Sequence, residues 1–518
     1  MSAKLISALQ EPSVYPHPTS TIQVLETHIS WVVLTGDYVY KIKKPVDFGF
    51  LDFTSLAKRK QYCEAELTLN ARSAPDLYLE LVTITGSPDK PKLAGSGSAI
   101  EYAVKMKQFE SGKLFSELSS AGQLDFEHIN VLAEQIAEFH QCVDTASIDS
   151  LYGQPSQLFE PMQQNFDLIR QFIVEPEQRA QLEQLEAWTQ SSFERLTPVL
   201  VHRKASGYIR ECHGDMHLGN ITLLRNRATL FDCIEFNANL RWIDVISDVA
   251  FLVMDFEDHE LPHFANRFLN NYLELTGDYS GLKLLNFYKC YRALVRAKVA
   301  LLTLNSGGQN EAQKGVLMRQ YQRYIDLAES YTGLTDRVVM TMHGLSGSGK
   351  STVSTRLVDL LGLIRIRSDI ERKRLFGLSA KQRSQVTDKL YSDAATHKTY
   401  ERLCELGAEV LDSGFSVIVD ATNLKRWQRQ AIQVFANERA VPVCIADCQA
   451  PMPLIEAWIQ KRKAENQDAS EADLAIVARQ QEIQEPLSEE ERIHTFVIHG
   501  DILAQTDKLV RKIKKTLA

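Results

Sequence analysis

The chain reads Gly344-Leu345-Ser346-Gly347-Ser348-Gly349-Lys350-Ser351-Thr352, directly after the apolar run Val338 to His343. Glycines at these spacings let the backbone curl so that its N–H groups face an anion, and the start of the following helix adds a favourable dipole. The stretch therefore predicts a strand, a phosphate-binding loop and a helix. In this motif Lys350 reaches the β- and γ-phosphates of a nucleotide, and the Ser351 hydroxyl binds Mg²⁺.

Outward from this motif, the sequence divides into regions of different character. After residue 336 apolar strands alternate with helices, which is the order that a parallel α/β sheet requires. Residues 22–108 are rich in strands, and residues 112–332 are mostly helical with a short strand–loop–strand insert. We therefore predict an α/β and α+β multidomain protein with three domains, 1–108, 109–332 and 333–518.

The composition excludes several classes of protein. With 44% hydrophobic and 24% charged residues, the chain is typical of a soluble globular protein. A net charge of −8 disfavours indiscriminate nucleic-acid binding. Eight cysteines without a CxxC pair do not predict a disulfide framework. Because no apolar run approaches the ~20 residues that span a bilayer and the amino terminus does not resemble a signal peptide, a cytoplasmic protein without a membrane partner is expected. Its oligomeric state stays open.

Two acids follow apolar strands in the last region. Asp369 comes after the run that begins at Leu363, where an acid can orient or deprotonate an acceptor hydroxyl; a role as cap for the next helix is the structural alternative and is compatible with that chemistry. Asp420 ends the run that begins at Phe415. A carboxylate at such a strand end can hold Mg²⁺ directly or through water, and the alternative is a turn former.

A polar segment, residues 464–473, is suited to a mobile lid. Arg462 and Arg479 flank it, and an arginine that a lid delivers stabilises charge on a transferring phosphoryl group. The alternative is a pair of solvated side chains.

Residues 336–518 resemble the small P-loop kinases grouped with polynucleotide kinase and zeta-toxin-like proteins. The glycine motif, the segment Arg367 to Lys373 and the segment Val417 to Asn423 carry the resemblance. It implies that Asp369 serves the acceptor hydroxyl. Members of this family phosphorylate nucleic-acid ends, sugar nucleotides and small metabolites, so the resemblance leaves the acceptor open.

A second motif lies in the helical region. It begins at His213-Gly214-Asp215, places Asn220 five residues after the acid, and continues to Asp232 behind two short apolar segments. Asp215 can accept the proton of an acceptor hydroxyl, while Asn220 and Asp232 bind Mg²⁺. His213 is expected to brace the loop rather than to transfer protons. The alternative is a hairpin with ordinary polar turn residues.

These residues, and the two-lobed layout around them, resemble the aminoglycoside-phosphotransferase-like kinases over about residues 25–330. That family is a branch of the protein-kinase-like fold, so the resemblance implies a bilobal domain. It also implies a lysine that holds the α- and β-phosphates of ATP and pairs with a helix glutamate. Lys41 and Lys43 lie on one strand face, and Lys41 is preferred; as its partner, Glu64 is preferred to Glu66.

Further features go with this resemblance. The segment Met106 to Phe109 fits the hinge where backbone groups meet adenine, and Asp248 fits the structural acid downstream of the metal ligand. The phosphate-covering hairpin at 29–36 lacks the glycine loop of kinases. Arg292 and Arg296 share a helix face, where an anionic substrate, the other domain or solvent are alternative partners.

The leading hypothesis is a fusion of two phosphotransferases that use ATP and Mg²⁺. Each moves a γ-phosphoryl group to a hydroxyl of a small-molecule acceptor, a nucleic-acid end or a sugar nucleotide. A second hypothesis gives catalysis to the P-loop half alone, with a regulatory or substrate-holding first half. A third makes the P-loop half a nucleotide-sensing switch for a partner.

Overall fold

The computed structural model describes residues 2–49, 51–305, 309–333, 335–380, 382, 390, 392–465 and 473–516, the side chains of Ser2, 462–465 and Thr516 excepted. The chain forms two compact units. The first contains Met1–His259 and Leu285–Thr332, and the second contains Glu260–Leu284 and Gly333–Ala518.

The first unit contains a six-stranded antiparallel sheet in the order β1-β2-β3-β6-β4-β5. Its strands are β1 Gln23–Glu26, β2 Ser30–Leu34, β3 Tyr38–Lys43, β4 Tyr78–Ser87, β5 Lys90–Leu93 and β6 Glu101–Lys107. The predicted hairpin is confirmed as β2 and β3, and β1 and β5 extend the sheet beyond the predicted strands. Helix α1 (Ser2–Ala8) precedes this sheet, and α2 (Leu56–Asn70) starts at Ser55, whose hydroxyl accepts from Lys58 N.

Helices make up the rest of the first unit. They are α3 Phe115–Ser120, α4 Phe126–Cys142, α5 Pro155–Phe172, α6 Pro176–Ala205, α7 Val245–Asp258, α9 Leu282–Asn305 and α10 Glu311–Ser330. Two small antiparallel pairs lie among them, β7 (Ile209–Glu211) with β10 (Trp242–Asp244) and β8 (Ile221–Leu224) with β9 (Arg227–Leu230). A buried cluster that includes Phe166, Phe251, Leu294 and Tyr324 forms the core of this lobe. The sheet and the helices together give the predicted bilobal layout.

The second unit contains a five-stranded parallel sheet in the order β12-β13-β11-β14-β15. Its strands are β11 Val339–His343, β12 Ile364–Arg367, β13 Val417–Asp420, β14 Val443–Cys448 and β15 Thr495–Ile498. The helices of this part of the chain are α11 Lys350–Leu361, α12 Ser368–Leu375, α13 Asp393–Asp412, α14 Arg426–Asn437, α15 Met452–Glu465, α16 Leu474–Ile483, α17 Glu489–Ile493 and α18 Ile502–Thr516. The strands β11 and β13 are buried on both faces, as expected inside a parallel sheet, and an apolar cluster that includes Met340, Ile418 and Leu357 covers one face. The predicted P-loop α/β sheet is confirmed.

Helix α8 (Pro262–Thr276) also belongs to the second unit. In the sequence it lies before the boundary predicted near 333, among the helices of the kinase-like region. The three domain limits remain a prediction.

All eight cysteines lie in the described part of the chain and are free thiols. No helix among the described residues is both long and apolar enough to cross a bilayer.

Two candidate nucleotide sites

The loop that carries Asp215 is held by a buried carboxylate. Asp248, on α7, accepts hydrogen bonds from His213 N at 2.8 Å and from Gly214 N at 2.9 Å. Burial alone would raise the pKa of Asp248, but the nearby His140 and Arg292 lower it, so the carboxylate stays charged. Asp248 therefore has the structural position that the sequence predicts.

Arg292 supports the same loop from α9. It donates to Gly214 O at 2.8 Å and to Ser247 Oγ at 3.0 Å, and only 4% of it is exposed. Arg296, one turn later, donates to Tyr324 Oη at 3.2 Å. Solvent and the other domain were two of the alternative partners for these arginines. Both alternatives are wrong for Arg292, because it is buried and its partners lie inside the first unit.

Within the loop, His213 acts as a brace. Its Nε2 lies 2.9 Å from Phe231 O, and its Nδ1 accepts from Asp215 N at 3.3 Å. These bonds require a proton on Nε2 alone, and burial lowers the pKa of His213 in agreement with that neutral form. The geometry fits the structural role predicted for this histidine.

The loop brings Asp215 and Asn220 together. The Asn220 Nδ2 donates to Asp215 Oδ2 at 3.1 Å and to Asp215 O at 3.0 Å, so its amide oxygen is the atom that it can offer to a cation. Burial would raise the pKa of Asp215, but His217 and Arg296 lower it well below its ordinary value. The Asp215 carboxylate is therefore charged, and 38% of its side chain is exposed.

Asp232 follows β9 in a left-handed backbone conformation, with φ of 64°. Such a conformation costs a non-glycine residue about 1–2 kcal/mol, and here Tyr78 Oη accepts from Asp232 N at 3.0 Å. The carboxylate forms an ion pair with Lys41, whose ammonium lies 2.9 Å from Glu66 Oε1. Burial would lower the pKa of Lys41, but these two carboxylates raise it well above its ordinary value.

The preference for Glu64 as the partner of Lys41 is wrong. Glu64 is about half exposed and pairs with Lys60 at 3.6 Å, whereas the Glu66 side chain is fully buried. The reason is helical periodicity, since Cys63, Glu66 and Asn70 all lie on the buried face of α2. No clear signal in the sequence marks Glu66, because three of the five buried residues of α2, Arg59, Glu66 and Asn70, are polar.

Sequence reasoning missed part of this ion network. Lys43 donates to Glu66 Oε2 at 2.7 Å and also pairs with Glu235. Lys43 and Glu235 are both buried, so a second lysine fixes the segment that follows Asp232. His28, in the turn between β1 and β2, also lies within the electrostatic influence of Asp215 and Asp232, although burial lowers its pKa. The turn between β1 and β2 therefore brings the His28 imidazole within electrostatic reach of the two acids.

The oxygen atoms of Asn220 and Asp232 suit a hard cation such as Mg²⁺. The segment Met106 to Phe109 leaves β6, and Phe109 packs against Phe231 at 5.5 Å between ring centroids. This contact places the segment beside the loop that leads to Asp232, although its binding of adenine remains a prediction.

In the second unit, the glycine motif leaves the carboxyl end of the central strand β11, the edge where ligands of such sheets bind. Gly344 has φ of 129°, and a Cβ there would lie 2.4 Å from Cys448 O, so only glycine fits. Gly349 caps α11 with φ of 90°. Lys350 is buried, and its Nζ donates to Leu345 O at 2.7 Å. The predicted strand, loop and helix are thus all present.

A cavity of about 880 Å³ joins the predicted residues of this unit. Its lining includes Lys350, Ser351, Asp369, Asp420 and Arg479. Further lining residues of the glycine motif are Ser346, Gly347, Gly349 and Thr352. The phosphate loop and both acids therefore face one space.

The two acids have different surroundings. Asp369 lies in the first turn of α12, whose cap residue is Arg367, so the alternative role of helix cap is wrong. Its Oδ1 accepts from Arg372 Nη1 at 3.1 Å. Asp420 ends β13 as predicted, and its Oδ2 lies 2.8 Å from Ser354 Oγ. The Asp420 carboxylate and the Ser351 hydroxyl line the same cavity and provide the oxygen ligands that Mg²⁺ prefers.

The mobile lid expected at residues 464–473 stays a prediction. The segment 466–472 and the Arg462 side chain lie outside the described residues. Arg479 lies on α16, and its neighbour Gln480 bonds the glycine loop through Ser346 N at 2.8 Å and Ser346 Oγ at 3.0 Å. Helix α16 therefore reaches the phosphate loop, a contact that no sequence pattern indicated.

An aromatic cluster forms another wall of the cavity. The rings of His397 and Trp427 stack at 4.3 Å, and Tyr400 meets Trp427 edge-on at 5.1 Å. Sequence reasoning also missed these residues, because α13 and α14 meet only in the folded unit.

Solved structures with similarity to the chain include kinases. An amicoumacin kinase in complex with AMP-PNP is 13% identical, with 63% of this chain and 96% of that chain covered and a TM-score of 0.41. A sugar kinase from Janibacter is 20% identical, with 35% of this chain and 95% of that chain covered and a TM-score of 0.26.

Two family models match the chain in its two halves. The phosphotransferase enzyme family matches residues 110–285, and the AAA domain matches residues 339–487. Uncharacterized proteins of Mycobacterium tuberculosis and Mycobacterium bovis are each 28% identical over 476 residues, which is 90% of this chain and 92% of each relative. An alignment of that length has to cross both matches. Residues 110–285 therefore match a phosphotransferase domain and residues 339–487 match a P-loop kinase-type domain, which agrees with the fusion that the sequence predicts, and both matches support a phosphotransferase.

Proposed function

We propose that the protein is a bifunctional phosphotransferase, with one site in each unit that moves the γ-phosphoryl group of ATP to an acceptor hydroxyl. The observation that carries the proposal is the same in both units. Each brings a lysine for phosphate, an acid for the acceptor proton and oxygen ligands for a cation into one place.

In the first site, Lys41 orients the α- and β-phosphates and Asp215 takes the acceptor proton. In the second, the loop around Lys350 binds the phosphates and Asp369 takes the proton, while Arg479 stabilises charge on the moving group. The acceptor oxygen bonds to the γ-phosphorus as the bond to the β-phosphate oxygen breaks, and ADP leaves. Asn220 and Asp232 in the first site, and Ser351 and Asp420 in the second, would hold Mg²⁺, which would neutralise phosphate charge.

The charged carboxylate of Asp215 is the form that can accept a proton, as the role of base requires. Proton acceptance by a positioned carboxylate contributes about 10²- to 10⁴-fold to a rate. The acceptors we propose are small molecules with a hydroxyl, with a nucleic-acid end or a sugar nucleotide as further classes for the P-loop site. The resemblance to aminoglycoside phosphotransferases does not identify a drug as the substrate, because function depends on the site rather than the fold.

The test incubates the full chain with γ-labelled ATP and a panel of metabolite hydroxyls. Wild type is compared with Asp215→Ala, which disables the first site, and Lys350→Ala, which disables the second. We expect each variant to lose one set of labelled products and to keep another. If Lys350→Ala alone abolishes all labelling, the first unit is a regulatory or substrate-holding module. If ATP binds but no acceptor is labelled and no ADP forms, the nucleotide-sensing alternative holds.

A further inference from the structure

Helix α8 is built into the P-loop unit by specific polar contacts. Arg267 binds both oxygens of Asp359 on α11, at 2.9 and 2.5 Å. Asn270 holds the edge strand β12, because its Oδ1 accepts from Arg365 N at 2.7 Å and its Nδ2 donates to Leu363 O at 3.2 Å. A side chain on α8 thus binds the backbone of a strand that borders the cavity.

A chain of hydrogen bonds runs from α8 to Asp420, an acid that lines the cavity. Glu274 Oε1 accepts from Arg365 Nε at 2.7 Å. The same guanidinium donates through Nη1 to Ser354 Oγ at 3.3 Å, and Ser354 Oγ lies 2.8 Å from Asp420 Oδ2. All four residues are at most 7% exposed, so water does not screen the chain of bonds.

From this geometry we infer that Glu274 and Arg365 are positioning residues of the P-loop site. They fix Ser354, and through it the orientation of the Asp420 carboxylate. The inference rests on the proposed phosphoryl transfer at that site. Groups that orient a ligating carboxylate typically change metal affinity or activity by about 10- to 100-fold when they are replaced.

Two ion pairs of residues 260–284 differ in position, Glu274 with Arg365 and Lys283 with Glu409. Lys283, in the same stretch of the second unit, lies 3.3 Å from Glu409 on α13, but this pair is partly exposed and outside the cavity lining. Arg365, in contrast, lines the cavity together with Asp420. The Lys283 pair attaches the segment, whereas the Glu274 pair acts on the site.

With these contacts, the P-loop site extends beyond the part of the chain that carries its sequence motifs. The strands and the glycine motif begin after residue 336, but the contacts that orient Asp420 start at Glu274. The match to the phosphotransferase family covers residues 110–285. Helix α8 lies inside this match, yet it completes the P-loop site.

The experiment uses the full chain with Asp215→Ala, so that ATP turnover reports the P-loop site alone. In this background Glu274→Gln and Lys283→Gln form a matched pair. Two titrations with Mg²⁺ are compared, one of ATP turnover and one of the affinity for a fluorescent ATP analogue. We expect Glu274→Gln to raise the half-saturating Mg²⁺ concentration about tenfold in both titrations, and Lys283→Gln to keep it within about twofold.

Arg365→Lys should give the same shift, and the double variant should be no worse than either single one, because both remove the same link. If Glu274→Gln does not fold, Ser354→Ala breaks the link from the other end and should show the same shift. An unchanged Mg²⁺ dependence in Glu274→Gln or Ser354→Ala overturns the inference. Equal shifts in Glu274→Gln and Lys283→Gln also overturn it, because they indicate general loosening.

Failure of the proposed function has a different signature. In that case Lys350→Ala in the Asp215→Ala background leaves turnover unchanged, whereas the analogue titration still reports on the Glu274 link.

Discussion

The two candidate sites reach similar chemistry through different construction. In the P-loop unit, nine consecutive residues provide the phosphate loop, and the backbone makes the binding surface. In the first unit, side chains at 41, 66, 215, 220 and 232 come together from both lobes, with buried ion pairs in place of a glycine loop. A site made of backbone depends on conformation at single positions. A site made of side chains depends on a network in which each charge needs its partners.

This comparison predicts that the P-loop site fails when a single Cβ is added. Gly344→Ala brings a methyl group against Cys448 O and forces an unfavourable φ. In the Asp215→Ala background we expect P-loop turnover to fall about 100-fold, because a displacement of about 1 Å at a reacting group costs that much.

Gly414→Ala is the matched control. Gly414 also has positive φ, but no atom lies within 4 Å of an added Cβ. It should cost about 1–2 kcal/mol of stability and leave the catalytic rate constant of the folded protein unchanged. Equal turnover losses in the two variants would show that backbone strain, rather than the loop itself, explains the effect.

The ion network of the first unit should fail when one charge is removed. Glu66→Gln leaves Lys41 and Lys43 without a shared partner. In the Lys350→Ala background we expect a loss of about 10- to 100-fold in turnover and of about 3 kcal/mol in the free energy of unfolding. Glu64→Gln, two residues away on the exposed face, should change the stability by less than about 0.5 kcal/mol. The reverse order would contradict the pairing described for α2.

The smallest expected effect is a pH response of the first unit. Burial lowers the pKa of His213, so as the pH falls the unfolded chain takes up this proton before the folded chain does. The free energy of unfolding therefore decreases as the pH falls from about 7.5 toward 5.5. His213→Gln should show a smaller decrease in the urea midpoint over this range, and His202→Gln, at an exposed position, should respond like wild type. A response of His213→Gln identical to that of wild type would contradict the buried neutral imidazole.

How much of each site the sequence predicts depends on how that site is built, from one local motif or from side chains that come together in the fold. The glycine motif, Asp369 and Asp420 were predictable because each lies at the end of a local strand and loop pattern. The His213 to Asp232 motif was predictable for the same reason. Lys41 came from the family resemblance, but the choice between Glu64 and Glu66 required the buried face of α2.

Residues contributed from distant parts of the chain were not predictable. Glu235 lies close to Asp232 and Gln480 lies next to Arg479, but their partners Lys43 and Ser346 are far away in the sequence. Glu274 likewise contacts Arg365 across 91 residues, and no local pattern marks these contacts. The same holds for α8, whose place in the second unit depends on Arg267 and Asn270. Tertiary packing determines such contacts, and a single sequence records only their residue types.

The central claim is that two independent sites transfer phosphate, and ADP formation by four proteins tests it most directly. Wild type, Asp215→Ala, Lys350→Ala and the double variant are compared with labelled ATP and the acceptors found for each site. The account predicts a partial loss in each single variant, losses that add up, and no turnover above background in the double variant. Complete loss in either single variant, with no loss in the other, would contradict it.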